Sequence, residues 1–157
     1  MGRGLGTLTY PVIPTARVLI VDDLAENRTM LGLCCDRFGL LHEAVDSGRE
    51  AVEAARSGRF DAILMDIFMP GMDGMAATHS IRALTGRSAS VPIIAVTTAA
   101  DPGVVLRYLA CGMTDVVAKP INAARLAEAL SAALTPARRN GRSRRRAGAA
   151  SSRERAA

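Results

Sequence analysis

Four short apolar runs, each ending in a polar side chain able to do chemistry, constrain this chain more than any other feature. Arg17-Val-Leu-Ile-Val21 runs into Asp22-Asp23, and Ala62-Ile-Leu-Met65 into Asp66. Ile93-Ile-Ala-Val96 runs into Thr97-Thr98, and Val116-Val-Ala118 into Lys119-Pro120. Each run has strand length. In an open parallel sheet, ligands bind in the crevice beyond the carboxyl ends of the strands. Parallel pairing of the four runs therefore brings three carboxylates, a hydroxyl and an ammonium to one rim. That set can hold a divalent cation and a phosphoryl group together.

The segments between the runs read as helices. Leu24 to Phe38 carries Met30, Leu31, Leu33, Cys34 and Phe38 at helical spacing, with Gly39 as a stop. Leu40 to Val45 reads as a further short strand. Ser47-Gly-Arg-Glu50 is a capping box opening a helix to about Ser57, and a strand follows from Phe60 to Asp66. Met69 to Gly74 is a loop before a helix from Met75 to Leu84. Asp101-Pro102 places an N-cap and a first-turn proline ahead of a helix ending near Ala110. Asn122 caps a last helix, Ala123 to Leu134, whose Leu126, Leu130 and Leu134 share a face. Five strands alternating with five helices predict a doubly wound α/β sheet.

Charge divides the chain. Of its 20 basic and 15 acidic residues, eight arginines and one glutamate lie beyond Thr135, leaving a mildly acidic body with 12 and 14. Residues 1–15 read as a flexible leader, 16–134 as the folded domain, and 135–157 as a disordered Arg-rich tail. No apolar stretch reaches the roughly 18 residues of a membrane span. The first 15 residues hold no signal-peptide block. With three cysteines and no CxxC spacing, these features predict a cytoplasmic protein with reduced thiols that act as small core residues. His42 and His79 have no acidic or cysteine partner at ligand spacing and read as surface or edge histidines.

Asp22-Asp23, the segment Met65-Asp66-Ile-Phe-Met-Pro70-Gly-Met-Asp-Gly74, Pro92-Ile-Ile-Ala-Val-Thr97 and Lys119-Pro120 together resemble the receiver domain of two-component response regulators. The resemblance covers about residues 16–134. It implies a flavodoxin-like (βα)5 fold with strand order 2-1-3-4-5. It also implies that Asp66 accepts a phosphoryl group from a histidine kinase or histidine phosphotransfer protein. A Mg2+ ion would be held by Asp23, Asp66 and the main-chain carbonyl of Phe68, with Asp22 acting through a bound water. Thr97 and Lys119 would serve the phosphoryl oxygens, and Pro120 would belong to a cis-proline loop. The chemistry agrees with these roles. Magnesium takes oxygen ligands, commonly one or two carboxylates with waters and phosphate oxygens. Phosphoryl transfer depends mainly on positioning and charge. Lys119 is the only lysine among 20 basic residues, which suggests that a compact charge is required there.

The chain also departs from the family pattern. Many receivers carry Tyr or Phe three residues before the lysine; Val116 stands here, an atypical switch position that puts signalling through an aromatic rotation in doubt. Phe68 and Ala99 offer no group to orient an attacking water, which predicts slow to moderate self-dephosphorylation. Phe68 either docks a partner or packs on its loop. The 23 residues after Leu134 are too few for an output domain. The chain therefore reads as a stand-alone receiver acting by docking to an unknown downstream protein, or as a C-terminal receiver cut from a hybrid histidine kinase. The tail offers a second function, salt-dependent binding of nucleic acid or anionic surfaces, although it has no aromatic residue for base stacking. A haloacid-dehalogenase-type phosphatase would need a second Asp where Phe68 stands.

Overall fold

The computed structural model describes residues 16–135. The leader at 1–15 and, apart from Thr135, the tail at 135–157 lie outside the described residues. Strands β1 (Arg17–Val21), β2 (Leu41–Val45), β3 (Ala62–Asp66), β4 (Ile93–Thr97) and β5 (Asp115–Ala118) alternate with helices α1 (Ala25–Arg37), α2 (Gly48–Ala55), α3 (Gly74–Arg82), α4 (Pro102–Cys111) and α5 (Ala123–Leu134). The strands form one parallel sheet in the order β2-β1-β3-β4-β5. The flavodoxin-like order inferred above is therefore the observed one.

Alternation along the strands divides the core in two. Leu19, Val21, Ile63, Met65, Ile93 and Ala95 face a layer that includes Ala51, Val52, Ala77, Ile81 and Tyr108 of α2, α3 and α4. Val18, Ile20, Leu64, Ile94, Val96 and Val117 face Leu31 and Cys35 of α1 and Leu126, Ala129 and Leu130 of α5. Every residue of β3 and β4 is buried, as strands covered on both faces must be. Tyr108 is the one buried residue of α4, with Val104 and Cys111 packed half-buried beside it on the core.

Several expectations shift. Strand β3 starts at Ala62 rather than Phe60. Phe60 is still buried in the core, and Asp61 N–H already donates to the Arg17 carbonyl at 2.7 Å. A 3-10 turn at Gly86–Ser90, which no pattern announced, separates α3 from β4. Ser47 Oγ accepts from Glu50 N–H at 3.2 Å, but the returning glutamate arm reaches Asp46 N–H at 3.3 Å instead of the cap residue. Asp101 occupies the cap position of α4 without a side-chain bond, so Pro102 supplies the start signal. At the other end of α4, Gly112 adopts φ 114°, the left-handed cap that side-chain-bearing residues avoid.

The face of α1 was misread. Leu31, Gly32 and Cys35 are buried, whereas Met30 and Leu33 are 42% and 59% exposed. The cause lies in β2, against which α1 packs. A Cβ on Gly32 would come within 3.0 Å of the His42 ring, so the helix presents its glycine to the imidazole and turns its long side chains outward. His42 is also not partnerless: its Nε2 lies 2.9 Å from Asp36 Oδ1, one turn further along α1. Cys35 is a core residue whose thiol burial pushes up to about 12, an inert group. Cys34 is only half-buried.

Gly74 opens α3 where no larger residue fits. A Cβ there would lie 2.1 Å from the Asp66 carbonyl oxygen and 2.9 Å from Ile67 Cα. Both are backbone atoms and cannot swing away. Gly74→Ala should therefore destabilise the domain by about 3 kcal/mol, the upper end of overpacking effects, in urea unfolding. A loss below about 0.5 kcal/mol would show that the β3–α3 loop yields freely.

Candidate functional site

The four polar strand ends meet at the carboxyl rim of the sheet. Asp22 and Asp23 follow β1, Asp66 closes β3, Thr97 closes β4, and Lys119 follows β5. Asp22, Asp23 and Asp66 each present a carboxylate oxygen, and these oxygens all lie within 4.8 Å of one another. Asp22 is fully buried, Asp66 nearly so, and Asp23 half-buried. Lys119 Nζ bridges the cluster, 2.9 Å from Asp22 Oδ2 and 3.4 Å from Asp66 Oδ1. Its main-chain N–H donates to the Thr97 carbonyl at 2.8 Å, tying the end of β5 to that of β4. Thr97 is buried, and its Oγ1 accepts from Ala99 N–H at 3.3 Å, so the hydroxyl proton is available for another acceptor.

Burial and, after it, the neighbouring Asp22 carboxylate raise the Asp66 carboxyl above the ordinary carboxylate range, with Lys119 opposing them. Three carboxylates answered by one ammonium leave the cluster with an excess of negative charge. Oxygen donors in this number and spacing fit a hard divalent cation. The donor set suits magnesium in particular, which keeps several waters and needs few protein carboxylates.

The other anticipated positions are more peripheral. Phe68 is 60% exposed beside the cluster. Val116 is half-buried, paired in register with Ala95, and packs against the core on the Thr97 face of the sheet. The Lys119–Pro120 peptide bond is cis.

Two site residues escaped the sequence reading. Asn27 Nδ2 donates to Asp22 Oδ1 at 3.2 Å, and the Arg28 guanidinium donates to the Asp22 carbonyl at 2.8 Å. Their signal was positional: they lie four and five residues past Asp23, where the start of a helix passes back over the strand end it follows.

A family model described as the response regulator receiver domain matches residues 18–131. The signal transduction histidine-protein kinase BarA of Escherichia coli K12 is 42% identical over 109 residues, covering 69% of this chain and 12% of BarA. The chain thus spans only a small part of that relative. Two-component response regulator 24 of Arabidopsis thaliana is 36% identical over 109 residues, covering 69% of this chain and 76% of its own length. Among solved structures, the receiver domain of sensor histidine kinase PA1611 from Pseudomonas aeruginosa, which has a magnesium ion in its active site cleft, superposes with TM-score 0.70 at 37% identity over 76% of this chain and 98% of its own. The chemotaxis protein CheY4 of Vibrio cholerae gives TM-score 0.71 at 32% identity over 76% and 99%.

The raised Asp66 carboxyl carries a sign. The folded chain holds that proton at a pH where the unfolded chain has lost it, so folding weakens as pH rises through the raised value. In EDTA at pH 7.5, Asp66→Asn should melt about 2–5 °C above the wild type. The gain should vanish below about pH 4, where an ordinary carboxyl is itself protonated. A variant that melts below the wild type at pH 7.5 would show that the Lys119 contact outweighs burial and repulsion.

Proposed function

This chain belongs to the response regulator receiver domain family, and from that membership we propose that Asp66 is its phosphoacceptor, working with magnesium. The observation that carries the reading is the convergence of Asp22, Asp23 and Asp66 within 4.8 Å around the Lys119 ammonium. Asp66 and Asp23, with the Phe68 carbonyl, would hold Mg2+, and Asp22 would act through a water. Bound there, the ion would neutralise charge on the phosphoryl oxygens and offset the repulsion among the carboxylates.

The chain's own groups do the rest. An Asp66 carboxylate oxygen attacks phosphorus while the P–N bond to the donor histidine breaks. That electron pair returns to the imidazole, and an acyl phosphate remains on Asp66. Lys119 and the Thr97 hydroxyl give their donors to the equatorial oxygens, where transition-state charge accumulates. Water later releases inorganic phosphate. Neither the Phe68 ring nor the Ala99 methyl can orient that water, so the acyl phosphate decays slowly.

The donor is a histidine kinase or histidine phosphotransfer protein. BarA carries the matching unit as 12% of a kinase, which favours a place in a relay over a terminal output role. The folded unit is residues 16–134, and the phosphorylated state changes docking to a downstream protein. With valine at 116, the change is carried by Thr97 and the loop from Thr98 to Asp101 rather than by a rotating ring.

Acetyl phosphate with Mg2+ should modify the wild type on a Phos-tag gel and leave Asp66→Ala unmodified, and EDTA should abolish the modification. Modification of Asp66→Ala, or a metal-independent reaction, would refute the assignment. The phospho-form should persist for minutes or longer; decay within a few seconds would contradict slow hydrolysis. In pull-downs with a cognate partner, Thr97→Ala should remove the phosphorylation-dependent difference while Val116→Ala keeps it. The opposite pattern would place the switch on β5.

A further inference from the structure

Asp22 is held at each of its polar atoms. Its N–H donates to the Val45 carbonyl at 3.3 Å, and its carbonyl accepts from Arg28 at 2.8 Å. Carboxylate oxygen Oδ1 accepts from Leu24 N–H at 2.9 Å and from Asn27 Nδ2 at 3.2 Å. Oxygen Oδ2 accepts from Lys119 Nζ at 2.9 Å. The side chain is buried, and Oδ1 has two donors, so it keeps the Leu24 N–H if the Asn27 amide is lost.

These partners differ in permanence. Lys119 already stands 3.4 Å from Asp66 Oδ1. If Asp66 is the phosphoacceptor, its phosphoryl group brings three further oxygens to the same ammonium, which has three donors but one position. The phosphoryl group therefore competes with Asp22 for Lys119. The two donors on Oδ1 are not drawn away, because Leu24 N–H belongs to the loop backbone and Asn27 to α1.

We infer that Asn27 is a positioning residue: it holds the Oδ1 edge of Asp22 so that this carboxylate keeps its orientation in the metal cluster when Lys119 turns toward the phosphoryl group. The competing explanation, that Asn27 merely starts the helix, fits the geometry poorly. Asn27 is the third residue of α1, and its amide donates outward to Asp22 rather than accepting from a helix N–H. The start of α1 is tied to the same carboxylate oxygen by the Leu24 N–H at 2.9 Å, which remains when the Asn27 amide is removed.

The inference rests on the phosphoacceptor reading, and one set of titrations separates the two. The full chain is titrated with MgCl2 by calorimetry, alone and with beryllofluoride, a tetrahedral phosphoryl analogue. Wild type is compared with Asn27→Ala and with Asn27→Ser, a second variant suited to a first helical turn. Loss of an outer hydrogen bond to a metal-site carboxylate commonly weakens the metal about tenfold. The variants should show a loss of that size with beryllofluoride present and a smaller one without it. Melting in EDTA should stay within about 2 °C of the wild type, a stability change of a few tenths of a kcal/mol. An equal loss in both titrations, no loss in either, or a loss matched by a fall in EDTA melting would overturn the role of Asn27 alone. A wild type that takes up neither Mg2+ nor beryllofluoride would remove the phosphoacceptor reading and this role with it.

Discussion

A single ammonium group joins the parts of this site. Lys119 Nζ lies between Asp22 and Asp66, while the Lys119 main chain is bonded to Thr97. Three strand ends thus converge on one residue of β5's trailing loop. Burial and, after it, the Asp22 carboxylate raise the Asp66 carboxyl against the opposing Lys119, so the cluster is electrostatically under-compensated. A fold that assembles such a cluster accepts a local loss of stability. Buried apolar residues on both faces of β3 and β4 offset that loss.

The sheet order explains why these groups meet. With β1 and β3 adjacent and β4 and β5 beyond them, their carboxyl ends form one continuous rim. Parallel pairing sends every strand the same way, so a residue following each run faces the same crevice. Gly74 then lets α3 start hard against the Asp66 carbonyl, which brings the following helix close to Asp66. The same rim also carries the exposed Phe68 ring, an apolar surface beside a charged cluster.

Much of this was legible in the sequence because it depends on local order. Asp22, Asp23, Asp66, Thr97 and Lys119 each terminate or closely follow an apolar run, and in a parallel sheet that position alone sends them to the rim. The caps of Ser47 and Asn122 were legible for the same reason, since a cap bond spans three residues. The misses at the site and on α1 are contacts between different elements. The stripe on α1 contained enough apolar residues to support either of two rotations, and the His42 ring against Gly32 selected the one that exposes Met30 and Leu33. Asn27 carried no apolar or motif signal; only the return of α1 over the end of β1 brings its amide to Asp22. The contact of His42 with Asp36 required β2 and α1 to be placed side by side.

The sequence by itself determined the class of fold, the alternation of its elements and the identity of the charged groups at the rim. Those follow from side-chain periodicity and from residues adjacent along the chain. The tertiary structure decided how the groups are held: which oxygen of Asp22 Lys119 takes, which Asn27 takes, and how far burial raises Asp66. Hydrogen-bond direction and desolvation depend on atoms from elements as far apart as residues 22 and 119, and no local pattern encodes that separation.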